Sequence, residues 1–145
     1  MKVRKAKKKD LEKVLNLWKE EYSKKPYNSI WKKAYLKLKL RKYFLKNYFY
    51  VLEKNKEIIG FIIFMEQFLY NYKIGFVIQF VVGSDFQGKG YGKKLMDYAE
   101  KIMKKKGLKR IELRANKKSK AYKFYLKNKY FPMREYEYLG KEIVK

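Results

Sequence analysis

Phe76-Val77-Ile78-Gln79-Phe80-Val81-Val82 runs directly into Gly83-Ser84-Asp85-Phe86-Gln87-Gly88-Lys89-Gly90-Tyr91-Gly92, and a helix-patterned stretch follows to Met103. The first seven residues are apolar except Gln79. The run is too short for a helix and rich in β-branched and aromatic side chains, as expected of a strand buried on both faces. After the turn, Leu95, Met96, Ala99, Ile102 and Met103 recur at three- and four-residue spacing and share one helical stripe. Between them, glycines leave the backbone amides uncovered. A helix N-terminus of that kind presents unpaired N–H groups and a positive dipole end, which suits a phosphate or pyrophosphate.

Upstream, Lys2 to Ala6 predicts a first strand, and Asp10 stands where it would cap a helix carrying Leu11, Val14, Leu15, Trp18 and Tyr22 on one face. Pro26 ends that helix or follows its end. Asn28 or Ser29 would cap the next, with Ile30, Ala34, Leu38 and Leu45 as its apolar stripe and Trp31 and Tyr35 widening it. Tyr48 to Glu53 and Ile58 to Phe68 read as a hairpin around Asn55-Lys56, the second strand containing Gly60. Tyr70 to Lys73 turns the chain into the strand quoted above. Downstream, Gly107 is the expected residue just past a helix end. Arg110 to Ala115 reads as a strand, Ser119 to Lys127 as a helix, and Tyr130 to Leu139 as one or two closing strands split by Pro132. This order predicts one α/β (α+β) domain over residues 1–145, with a mixed, mostly antiparallel sheet of six to seven strands and about four helices.

The bulk properties agree with a single domain. The chain has 145 residues, 47% hydrophobic and 19% aromatic, enough apolar material for one core. No run is long enough to cross a membrane and no signal-peptide pattern is present, so a cytoplasmic protein without membrane association is expected. With no cysteine and no histidine, thiolate nucleophiles, zinc ribbons and the commonest general base are excluded. No metal is expected. The net charge of +25 divides as +13 over residues 1–50, 0 over 51–100 and +12 over 101–145. Basic flanks around a neutral middle favour polyanionic ligands and nonspecific nucleic-acid binding, or are simply a solvated lysine surface.

Three motifs compete for the glycine turn. Gly83 to Lys89 fits G-x-x-x-x-G-K, but a P-loop then needs Ser or Thr for magnesium, and the residue here is Gly90. Gly88, Gly90 and Gly92 give G-x-G-x-G, one residue short of the dinucleotide fingerprint, and no acidic residue follows at its distance. The third motif fits. Gln87-Gly88-Lys89-Gly90-Tyr91-Gly92 resembles the Q/R-x-x-G-x-G/A pyrophosphate loop of the general-control-related N-acetyltransferase (GNAT) superfamily, and Ala121, Phe124 and Tyr125 resemble that family's A-x-x-F/L-Y segment. The order of elements resembles the family over nearly the whole chain.

This resemblance implies acetyl coenzyme A as co-substrate. Gln87, Gly88, Lys89, Gly90, Tyr91 and Gly92 would hold its pyrophosphate, with Lys93 and Lys94 adding positive charge, and Val81 and Val82 would pair with its pantetheine arm. A backbone N–H near Val82 would polarise the thioester carbonyl and stabilise the oxyanion. Tyr125 matches the tyrosine that protonates the departing thiolate, and Asn116 is similar to an asparagine that contacts the coenzyme, although it stands nine residues before Tyr125 where seven is common. Two positions depart from the family pattern. Many members carry Glu or Asp on the fourth strand as a base, where this chain has Ile78 and Gln79. Glu66 is the candidate replacement, with Glu112 and Asp85 as further possibilities, and direct loss of the proton to water needs none of them. Lys129 stands where the family's helix ends in Gly, a place where Asn128 would take the left-handed conformation.

The expected function is therefore an N-acetyltransferase that moves an acetyl group directly to a primary amine in a ternary complex. The acceptor would be a small molecule or a peptide, and the protein a monomer or homodimer. Tyr22, Tyr27, Trp31 and Tyr35 suggest an aromatic acceptor site or a packed core. The alternative is a noncatalytic domain of the same fold that binds acyl coenzyme A or nucleic acid.

Overall fold

The computed structural model describes residues 1–144 and divides into two compact units, Met1–Arg114 and Ala115–Lys145. The first unit holds β1 (Lys2–Lys5), α1 (Leu11–Tyr22), α2 (Lys33–Lys46), β2 (Tyr48–Lys54), β3 (Glu57–Leu69), β4 (Tyr72–Val82), α3 (Tyr91–Lys105) and β5 (Ile111–Leu113). Its five strands form one sheet in the order β1-β2-β3-β4-β5. Neighbouring pairs are antiparallel except β4 and β5, which are parallel. The second unit holds α4 (Lys120–Lys127).

The centre of the sheet is β3, whose Ile58 to Phe64 are all buried. Such a run has no polar face because helices cover both sides. Phe61 and Ile63 join Phe49 and Val51 of β2 in a cluster with Val14, Leu15 and Trp18 of α1 and Leu36 and Leu40 of α2. A Cβ on Gly60 would lie 3.6 Å from Leu95 of α3, so alternation turns Ile62 and Phe64 toward α3. That helix buries Leu95, Met96, Ala99 and Met103, the stripe read from its spacing. Asn55 and Lys56 turn the β2–β3 hairpin with φ of 49° and 64°, the pair of positive angles that a two-residue turn needs to match strand twist.

Four expectations are corrected. The sheet has five strands, because Tyr130 to Leu139 forms none: Phe131, Tyr136, Tyr138 and Leu139 are exposed, and alternation without a buried face does not make a strand. Helix α2 buries Leu36 and Leu40 rather than the expected stripe. It starts only at Lys33, which leaves Ile30 ahead of it and 97% exposed, and the Leu36 face turns Leu38 and Leu45 to solvent. Asp10 does not cap α1 through its side chain. Its carboxylate accepts from the Lys7 N–H at 2.7 Å and from Arg4 Nη1 and Nη2 at 2.8 and 3.0 Å. At the end of α4 the left-handed residue is Lys129, φ 70°, while Asn128 keeps φ −96° and donates its side-chain amide to Phe124 O at 2.8 Å.

Candidate active site

The site begins where the sheet comes apart. Strand β5 pairs with Gly75, Phe76 and Val77, and its ladder with β4 stops there, ahead of the last stretch of the strand toward Val82. On the other edge, Gln79 faces Ile63 while Val77 faces Phe64, which makes Ile78 the extra residue of a β-bulge. A bulge bends and twists its strand, and here it falls where pairing with β5 stops. Beyond it, the Gly83 N–H donates to Ile59 O at 2.9 Å. Alternation therefore points the N–H and C=O of Val82 away from β3, toward the side that β5 leaves open.

The turn after β4 is held by its own side chain. Gln87 Nε2 donates to Val82 O at 2.7 Å, and the Gln87 N–H donates to Ser84 O at 3.3 Å. Gly88 and Gly90 follow with φ of 73° and 85°, and nothing lies within 4 Å of a Cβ built on either. Only glycine takes such angles without strain, and the open space above both lets a large anion reach the backbone. The first helical bond of α3 runs from Lys94 N–H to Gly90 O at 3.1 Å. The amides of Tyr91, Gly92 and Lys93 thus lie ahead of the helical ladder, at its positive end. These features fit a pyrophosphate.

Charge near the turn comes from sources only partly legible in the sequence. Lys54, at the end of β2, donates to Tyr91 Oη at 2.8 Å and lies 5.0 Å above that ring's centre. The bond to Lys54 and then the positive charges of Lys54 and Lys89 hold the Tyr91 phenol below its ordinary value. Lys93 pairs with Asp97 at 2.7 Å, and that bond raises its ammonium. Lys89 is exposed.

The aromatic side chains at the end of α1 and after it are tied in pairs. Tyr22 Oη donates to Gln79 Oε1 at 2.5 Å. Burial first, then the nearby Tyr27 phenol, pushes Tyr22 well above its ordinary value, so it stays neutral across the working range. The Tyr22 ring meets Trp18 at 5.6 Å and Tyr27 at 4.8 Å, and Trp18 meets Trp31 at 5.3 Å. Trp18 belongs to the core cluster with Trp31 packed against it, whereas Tyr35 is exposed.

Glu66 is not brought to this end of β4. It faces Gly75, whereas Val82 faces Gly60, six positions along β3 and about 20 Å away at strand rise. Its carboxylate accepts from Tyr48 Oη at 2.6 Å and lies 3.8 Å from Lys73 Nζ. Glu112, opposite Phe76, is bonded by Arg110 at 2.9 Å. Asp85 is exposed in the short turn Ser84–Phe86. Among the described residues no cluster of three His, Cys, Asp or Glu could hold a metal, and no helix is long and apolar enough to cross a membrane.

In the second unit, Ser119 caps α4 by accepting from Tyr122 N–H at 3.1 Å. Tyr125 is 7% exposed, with its ring 5.6 Å from Phe124 and 5.4 Å from Tyr130. Asn116 spends its side chain locally: Oδ1 accepts from Lys118 N–H at 2.9 Å, closing the turn before α4. The pairs that sequence reading missed, Lys54–Tyr91, Tyr22–Gln79 and Glu21–Ser84, join residues 37 to 63 positions apart, and no local pattern signals them.

The fold is similar to that of a possible acetyltransferase from Clostridium difficile 630, with TM-score 0.85, 15% identity, and 99% and 98% of the two chains covered. It is similar to an aminoglycoside 6'-N-acetyltransferase from Acinetobacter haemolyticus, with TM-score 0.79, 16% identity, and 99% and 100% covered. A PaiA N-acetyltransferase from Thermoplasma acidophilum, solved in complex with coenzyme A, has TM-score 0.72 and 25% identity over 88% and 87% of the chains. No curated protein matches by sequence. The model of the acetyltransferase (GNAT) family matches residues 11–130, from the first turn of α1 to beyond α4, and the chain belongs to that family.

Proposed function

We propose that the protein is an acetyl-CoA-dependent N-acetyltransferase acting on a primary amine through a ternary complex. The observation that carries this reading is the continuous path from the outward Val82 N–H, through the left-handed Gly88 and Gly90, to the open amides of α3. Acetyl-CoA would supply the activated acetyl group. Its pyrophosphate would be held by the amides of Gly88 to Lys93, and its pantetheine arm along Val81 and Val82 at the edge of β4 that β5 leaves open, where the Val82 N–H points outward. The Val82 N–H is a fixed donor for negative charge growing on the carbonyl oxygen, and a fixed donor needs no reorganisation as that charge appears. A PaiA relative solved with coenzyme A supports the choice of co-substrate.

Tyr125 is proposed as the proton donor to the leaving thiolate. A phenol can give its proton to a thiolate formed beside it. Gln79 has no basic lone pair, and Tyr22 already donates to its oxygen. The acceptor amine therefore loses its proton to water or arrives without it. The test is calorimetric binding of acetyl-CoA together with turnover on a mixed amine library read by mass detection, for wild type and Tyr125→Phe. The expected result is unchanged binding and a kcat lowered about a hundredfold in the variant, the usual scale of a positioned acid. Full-rate turnover by Tyr125→Phe at every pH would remove Tyr125 from the mechanism, and no coenzyme binding by wild type would remove the function.

A further inference from the structure

Helix α1 ends in two adjacent side chains that reach β4 and its loop at separate points. Tyr22 bonds Gln79 on the strand. Glu21 accepts from the Ser84 N–H at 3.0 Å, while the Ser84 hydroxyl lies 2.8 and 3.0 Å from its two carboxylate oxygens. Lys24, one turn on, donates to Ser84 Oγ at 2.8 Å and to Glu21 Oε1 at 3.2 Å. The Glu21 side chain is only 12% exposed. Ser84 opens the turn that leads through Gln87 to Gly88 and Gly90.

A carboxylate beside an anion cradle has the wrong charge for the ligand, and Lys24 offsets it locally. What the carboxylate adds is geometry. One side chain engages both a backbone N–H and the hydroxyl of the same residue, which fixes the first residue of a loop that otherwise runs through two flexible glycines. Affinity for an anion held by backbone amides depends on those amides being ordered before binding, because ordering them afterwards subtracts from the binding free energy.

We propose that Glu21 is a positioning residue for the coenzyme loop, through which helix α1 sets the geometry of the pyrophosphate cradle. The inference rests on the acetyl-CoA reading given above. Its test compares wild type, E21A, E21Q, S84A and E21A/S84A by acetyl-CoA calorimetry, steady-state kinetics and thermal melting.

E21A is expected to weaken acetyl-CoA binding about tenfold, equivalent to about 1.4 kcal/mol, and to raise KM for acetyl-CoA in parallel. The kcat and the melting temperature should hardly move. E21Q keeps an oxygen for the Ser84 N–H and should recover to within about threefold of wild type. S84A should lose about threefold, and adding it to E21A should cost nothing more, because both changes break one contact set. Wild-type affinity in E21A, equal losses in E21Q and E21A, or multiplying losses in the double variant would each overturn the inference. Absence of coenzyme binding by wild type is a distinct failure that removes the proposed function and this inference together.

Discussion

At the scale of single residues, Arg4 on β1 forms an ion pair with Asp10 at 2.8 Å. Asp10 is 4% exposed and holds Arg4, which also reaches Glu53 at 3.1 Å. The Arg4 bond is the largest influence that holds the Asp10 carboxyl below its ordinary value. Asp10→Ala leaves Arg4 paired with Glu53 alone and removes the acceptor of the Lys7 N–H, so a loss of about 2 kcal/mol is expected by urea denaturation at pH 6. The pH dependence has a definite sign. A carboxyl whose folded pKa is depressed contributes in full above its unfolded value of about 3.9, and loses that contribution as pH falls through the folded value. The difference between wild type and Asp10→Ala should therefore shrink between pH 6 and pH 2. A difference of the same size at both would show that the contact contributes packing rather than charge.

At the scale of elements, the legible part of the chain was where local pattern and tertiary demand coincide. The buried face of α1, the hairpin at Asn55-Lys56 and the α3 stripe follow from spacing and turn chemistry alone. Helix α2 was misread because it carries apolar residues on two sides, and only packing against α1 and β2 selects Leu36 and Leu40. The bulge at Ile78 had no local signature, since it is defined by the register of β3. The C-terminal end of α4 gives a prediction at this scale. Lys129 closes it at φ 70°, with the Tyr130 N–H donating to Tyr125 O at 3.0 Å. A side chain in this conformation costs about 1 kcal/mol, and glycine does not incur it. Lys129→Gly should raise the midpoint of thermal unfolding by a few degrees, and a lowered midpoint would mean that its side chain has a role the backbone angle does not reveal. The reverse change in the loop, Gly90→Ala at φ 85°, should cost about 1 kcal/mol and weaken acetyl-CoA binding about tenfold or more, because the strained turn shifts the cradle amides.

At the scale of the whole molecule, charge is the property that the fold leaves unspent. Between Ser23 and Leu52 the chain has nine basic and no acidic residues, and the total is +25. Such a field accelerates the approach of any polyanion, coenzyme or nucleic acid, and is screened within about 10 Å at 0.1 M salt. Attraction of this kind and a built nucleic-acid site differ in salt dependence. Displacing ions from about four phosphates of a DNA duplex makes affinity fall about a hundredfold between 50 and 200 mM salt, without regard to sequence. The expectation is that anisotropy of unrelated labelled duplexes shows this fall, with all sequences alike and binding nearly gone at 200 mM. Coenzyme binding should weaken far less over the same range, because the amides of Gly88 to Lys93 hold its pyrophosphate by directed hydrogen bonds at short range. If nucleic-acid affinity instead persisted at 200 mM while coenzyme affinity collapsed, the order of the two ligands would be reversed. The basic surface, rather than the glycine loop, would then be the site that the chain is built around.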